Sequence, residues 1–153
     1  MSEDYAELMT TFPLLDGFTV NGTKRLLDAG AVKQIAAGDV LLKEGDAADF
    51  AVLVLNGKLE VFAERDGHQF PLTEAGPGTI LGELALLCGI PRSASARATE
   101  DSTVLEWDDE TLRTLLLRDR SLAQRVFRET LRTLVEKEQE LVESLARSQA
   151  AKT

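Results

Sequence analysis

The sequence predicts a mainly β domain with flanking α-helices, its β part a sandwich, jelly roll or barrel. Three observations carry this. Residues 31–107 hold seven short apolar runs separated by Gly, Asp, Asn and Pro turn signals, the mark of many short strands. Residues 3–30 and 108–150 read as helical. The chain has 153 residues and is 44% hydrophobic, the size of one domain with an ordinary core, so residues 1–153 are taken as a single domain.

The first part, residues 1–30, contains two helical pieces broken at "FPLLDGF", where Pro13 and Gly17 punctuate the chain. Leu26 and Leu27 belong to a second short helix that ends near Gly30. The β runs follow as "AVKQI", "DVLLKEGD", "FAVLVL", "KLEVFAE", "QFPLTEA", "TILG" and "STVLEW". Asn56-Gly57 predicts a hairpin between two of them through a type I′ turn, which needs positive φ at both central residues. Asp66-Gly67 repeats the device one strand later. Gly38-Asp39, Gly45-Asp46 and Gly76-Pro77-Gly78 mark further corners. Closing such strands into a roll also removes exposed sheet edges. Trp107 ends the last run and is expected to pack in the core or at the strand-to-helix corner.

In residues 108–150, Asp108 or Asp109 can cap "ETLRTLLL", with acids favouring the positive helix end. A second helix runs from about Ser121 to Ser148. Its Phe127, Leu131, Leu134, Leu141 and Leu145 recur at spacings of 4, 3, 7 and 4, a heptad seam with Glu138 in the missing position. The seam implies either a homodimer through residues 121–148 or packing on the chain's own roll.

Charge and composition exclude several function classes. With 17 basic against 26 acidic residues the net charge is −9, which argues against a broad nucleic-acid or anionic-membrane footprint. It leaves room for one small anion held locally. No apolar run approaches a membrane span, and "MSEDYAELMT" lacks the basic and apolar regions of a secretory leader. Cys88 is the single cysteine, so no intramolecular disulfide forms; a cytoplasmic setting is expected, with Cys88 as a small buried hydrophobe. His68 is the single histidine and sits in "RDGHQF", a loop position. One Cys and one His do not make a zinc cluster, and no metal site, catalytic residue or enzymatic activity is expected.

The stretch "GELALLCGIPRSASA", Gly82 to Ala96, is where chemistry concentrates. Gly82 lets backbone approach a ligand closely. The following "ELALL" can form a short helix whose first N–H groups lack partners and suit an anion. Arg92 offers a fork that matches two phosphate oxygens. Ser93 adds a hydroxyl, and its N–H and that of Ala94 can join. Glu83 repels a phosphate but accepts a hydrogen bond from a hydroxyl such as a ribose 2′-OH. Together they suit a monoanion carrying a sugar hydroxyl within small apolar walls. The plainer alternative is that Glu83 and Arg92 pair with each other.

From about residue 10 to 145 the chain resembles the cyclic nucleotide-binding domains of the catabolite activator family, of cyclic-AMP-dependent kinase regulatory subunits and of cyclic nucleotide-gated channels. "AAGDVLLKEGDAADFAVLVLNGKLEVF" is similar to the family's first strands. "LGELALLCGIPRSASA", residues 81–96, is similar to its phosphate-binding cassette: Gly-Glu-Leu-Ala-Leu, a spacer, Pro-Arg, a small residue, Ala, then Ser or Thr. The resemblance implies a double-stranded β-helix, that is, a jelly-roll-like β-roll, with N-terminal helices and a long C-terminal helix. It implies cyclic AMP as ligand, with cyclic GMP as the alternative because Ser93 follows the arginine, and no further cofactor. It assigns Glu83 to the ribose hydroxyl, Arg92 to the exocyclic phosphate oxygen, and Gly82, Glu83, Leu84 and Ala85 as backbone donors. It places Val61, Leu72 and Leu81 on the apolar lining. Glu136, Lys137, Glu138 and Glu140 stand where family members reach the base. Only "QAAKT" follows Ser148, so no DNA-reading module is expected, and the ends suit a small complete protein. The function implied is a regulatory module that couples ligand binding to movement of its C-terminal helices and so to a downstream protein partner. The alternative is a scaffold that keeps the fold without the ligand.

Overall fold

The computed structural model describes residues 2–152. Its β part holds eight strands among the described residues: β1 (Ala31–Ile35), β2 (Val40–Leu42), β3 (Phe50–Asn56), β4 (Leu59–Arg65), β5 (His68–Ala75), β6 (Ile80–Leu81), β7 (Ser95–Ala98) and β8 (Ser102–Asp108). They form two four-stranded sheets, ordered β1-β8-β3-β6 and β2-β7-β4-β5, with every pairing antiparallel. This is the expected β-roll. Seven of the strands lie on the seven apolar runs. The eighth, β7, was hidden because "SARA" has small side chains and no apolar alternation; its pairing with β4 makes it a strand.

Strand β3 is the hub. Ala51 to Leu55 are all buried, as the unbroken "AVLVL" requires of a strand covered on both faces. Because strand side chains alternate, Ala51, Leu53 and Leu55 join the helices in one core with Met9, Leu15, Leu26 and Leu105. Val52, Val54 and their neighbour Val104 on β8 join a second core with Leu59, Ala75 and Ala98 from the facing sheet.

One turn departs from expectation. Asn56-Gly57 does not close a hairpin: β3 pairs with β6 and β8, whereas β4 pairs with β5 and β7. The turn instead carries the chain from one sheet to the other. Gly57 takes φ +94°, and a Cβ there would lie 2.6 Å from the Ser102 Cα, so this corner is set by close approach of backbone. Asp66-Gly67 does make the hairpin, joining Arg65 to His68 with φ +53° and +78°.

Helices α1 (Ser2–Met9) and α2 (Val20–Ala29) flank a 3-10 turn at Pro13–Leu15. The α2 N-terminus is capped by Thr19, and the buried Thr23 hydroxyl donates to the Ala6 carbonyl at 2.7 Å, tying α2 to α1. Short α3 (Glu83–Cys88) follows β6. Asp108, not Asp109, caps α4 (Asp109–Arg118) by accepting from Thr111 N at 2.7 Å. Asp119 accepts from Leu122 N and opens α5 (Arg120–Lys152). Trp107 is core: its indole N–H donates to the Leu26 carbonyl at 2.9 Å.

The outer half of α5 decides between the two readings of its seam. Leu122, Val126 and Thr130 face the roll, whereas Phe127, Leu131, Leu134, Leu141 and Leu145 are each 44–61% exposed. The seam therefore does not pack on its own roll. Cys88 also departs from expectation. It is exposed, because it ends α3 just before Gly89 and residues 88–91 all lie at the surface. Among the described residues no helix is long and apolar enough to cross a membrane.

Candidate functional site

A cavity of about 680 Å³ opens between the second sheet, α3 and α5. All ten residues singled out from the sequence line it. Gly82, Glu83, Leu84 and Ala85 come from the start of α3; Arg92, Ser93 and Ala94 from the segment that leads into β7; Val61, Leu72 and Leu81 from β4, β5 and β6. Arg92 and Glu83 are buried, and Ser93 is exposed.

The bend at Gly82 makes this wall. Its φ of +83° is left-handed, and a Cβ would stand 2.5 Å from Arg92 Nη1. Only glycine meets both demands cheaply. Arg92 donates from Nη1 to the Gly82 carbonyl at 2.9 Å and from Nη2 to the Phe50 carbonyl at 2.5 Å, with its guanidinium 4.8 Å from the Phe50 ring centre. Backbone bonds on either side fix its Cα: Arg92 N donates to the Asp46 carbonyl and Gly45 N to the Arg92 carbonyl. Burial pulls the guanidinium below its ordinary pKa, opposed by Asp49, Asp46 and Glu83; guanidinium nevertheless stays charged in proteins. It has five N–H donors, so donors remain beyond the two carbonyl bonds.

Glu83 takes a different partner from the one the sequence offered. No ion pair joins it to Arg92; its Oε1 accepts from the Thr130 hydroxyl at 2.8 Å. Burial raises its carboxyl pKa, opposed by the Thr130 bond, its own backbone N–H and Arg92. Thr130 belongs to none of the motifs in the sequence. The available signal was a hydroxyl at the third place of the stripe Leu122, Val126, Thr130, since a polar group on a buried helix face needs a partner.

Two further ties seat the site. From α4, Arg113 Nη2 donates to the Leu86 carbonyl at 2.8 Å and holds the far end of α3. From α5, Lys137 Nζ donates to the Leu72 carbonyl at 3.2 Å across the mouth. Glu136, Lys137 and Glu140 line the cavity, whereas Glu138 lies away from it. Among the described residues no cluster of His, Cys, Asp and Glu is arranged to hold a metal ion.

Residues 32–119 match the family model of the cyclic nucleotide-binding domain. The chain belongs to this family. It is 34% identical over 103 residues to a cAMP-dependent protein kinase regulatory subunit of Blastocladiella emersonii, covering 67% of this chain and 26% of that protein. The chain thus spans about a quarter of the length of the curated kinase subunits it matches. Among solved structures it resembles the catabolite activator protein of Thermus thermophilus, at TM-score 0.77 and 30% identity over 84% of this chain and 61% of that one. It also resembles the regulatory domain of Toxoplasma gondii PKA crystallised with cAMP, at TM-score 0.64 and 26% identity over 74% and 43% of the two chains.

Proposed function

We propose that this domain binds cyclic AMP in the 680 Å³ cavity and relays binding through α5, acting as a regulatory module rather than as an enzyme. The observation that carries this reading is the meeting of Arg92, Glu83 and the start of α3 on one wall, opposite the apolar Val61 and Leu72. Arg92 balances the single negative charge of a cyclic phosphodiester, and amide groups at Glu83, Leu84 and Ala85 add donors. Ser93 and Ala94 flank the same oxygen atoms. Glu83 faces the ribose 2′-hydroxyl, and Val61, Leu72 and Leu81 cover the apolar parts. The kinase subunits it resembles support cyclic AMP as the nucleotide, and cyclic GMP is the alternative that Ser93 admits.

Relay follows from the seat of α5. Thr130 and Lys137 tie that helix to the cavity wall on both sides of the mouth. A ligand that binds one seat of α5 better than another shifts its population. The exposed seam from Phe127 to Leu145 is then the surface through which a second copy or a downstream protein senses the change.

Thermal unfolding with cyclic AMP, cyclic GMP and AMP tests the reading. Ligand at about a hundred times its Kd stabilises the fold by about 2.7 kcal/mol, a rise of about 5–10 °C for a domain of this size. Cyclic AMP should give that rise and AMP should not. No rise with either cyclic nucleotide at millimolar concentration would favour a scaffold that keeps the fold alone.

A further inference from the structure

Glu83 and Arg92 carry opposite charges on one buried wall. Left to themselves, such neighbours pair, since each lowers the cost of burying the other. They do not pair here. Arg92 spends two N–H groups on the Gly82 and Phe50 carbonyls, and Glu83 Oε1 is taken by Thr130 at 2.8 Å.

We propose that Thr130 is the positioning residue of the cavity: its hydroxyl pins the Glu83 carboxylate on the α5 side, apart from Arg92, so that the carboxylate stays open to the hydroxyl beside the phosphate of a sugar phosphodiester. This rests on the ligand reading above and names a residue that the cassette itself does not contain. Three observations support it. Thr130 is only 9% exposed, at a place where its stripe-mates Leu122 and Val126 are apolar. Its hydroxyl makes one hydrogen bond among the described residues, and that bond goes to Glu83. The carboxylate can accept bonds at about four lone-pair sites, so the Thr130 bond leaves room for a ligand hydroxyl.

The pin comes from α5, forty-seven residues along the chain from the carboxylate it holds. Readiness of the hydroxyl-binding group therefore depends on where α5 sits. Without the hydroxyl, the Glu83 side chain turns toward the Arg92 guanidinium, the cation whose charge already acts on it. Both groups are then lost to a ligand together.

The test measures cyclic AMP and its 2′-deoxy analogue by calorimetry on the full chain and on Thr130→Val and Thr130→Ser. The wild type should prefer the ribose ligand. In Thr130→Val that preference should fall about ten- to a hundredfold, the weight of one hydrogen bond to a charged group, and Thr130→Ser should restore it. Thr130→Ala is read in the same way should the valine fail to fold. A structural role alone would weaken both ligands equally and leave their ratio unchanged; that result overturns the positioning role while the ligand reading stands. A wild type that binds neither ligand overturns both.

Discussion

Replacing Gly82 with alanine tests the geometry on which the cavity depends. Two costs add. An L-residue at φ +83° costs about 1–2 kcal/mol. The new Cβ would lie 2.5 Å from Arg92 Nη1 and 3.3 Å from its Cζ, so the guanidinium must leave its seat. Its bonds to the Gly82 and Phe50 carbonyls go with it, and hydrogen bonds to charged groups are worth about 1.5–3 kcal/mol each. Solvent partly replaces them at the cavity edge, so about 3–5 kcal/mol in all is expected. Gly45→Ala is the control. Gly45 has φ +89° but nothing within 4 Å of a Cβ, so it should cost only the backbone part, about 1–2 kcal/mol. Urea unfolding of both variants without ligand reads the difference directly. Equal losses would mean that Arg92 moves aside freely, and the wall described above would not be a fixed structure.

Three other outcomes follow from the same contacts. Arg92→Ala should lose about 2–4 kcal/mol of cyclic-nucleotide binding, as truncating a buried charged partner does; unchanged affinity by calorimetry would remove Arg92 from the site. Burial holds the Glu83 carboxyl above its ordinary pKa, so the folded chain keeps that proton where the unfolded chain has lost it. This contribution to stability falls as pH rises from the ordinary glutamate value through the folded one. Melts across that range should show Glu83→Gln gaining on the wild type as pH rises, and parallel curves would refute the shift. Trp107→Phe removes the indole donor to the Leu26 carbonyl and should cost about 1–3 kcal/mol in urea; a loss well below 1 kcal/mol would show that carbonyl to be satisfied without it.

Much of the fold was legible because local chemistry and final structure agree. "FAVLVL" is a run that only a doubly covered strand can use, and it became the buried hub. Asp66-Gly67 adopted the positive φ pair that its hairpin demands. Asn56-Gly57 looked the same in sequence and became a corner between sheets. The expected type I′ geometry also fails there: Gly57 takes a positive φ and Asn56 does not, because a turn signal is a local preference that yields when the strands leaving it pair with other partners. Strand β7 was hidden for a related reason: its small residues gain their place from pairing with β4, which no local pattern reports.

The sequence by itself determined a series of short strands, their flanking helices and the short stretch that supplies Gly82, Glu83 and Arg92, because each rests on spacing within a few residues, while the β-roll was implied by the family resemblance. Only the tertiary structure decided that Arg92 would bind carbonyls and not Glu83, that Thr130 would reach the carboxylate from α5, and that the α5 seam would stay uncovered. Those outcomes depend on which polar groups become neighbours once water is excluded. That competition is settled between elements far apart in the chain, after local structure has already formed.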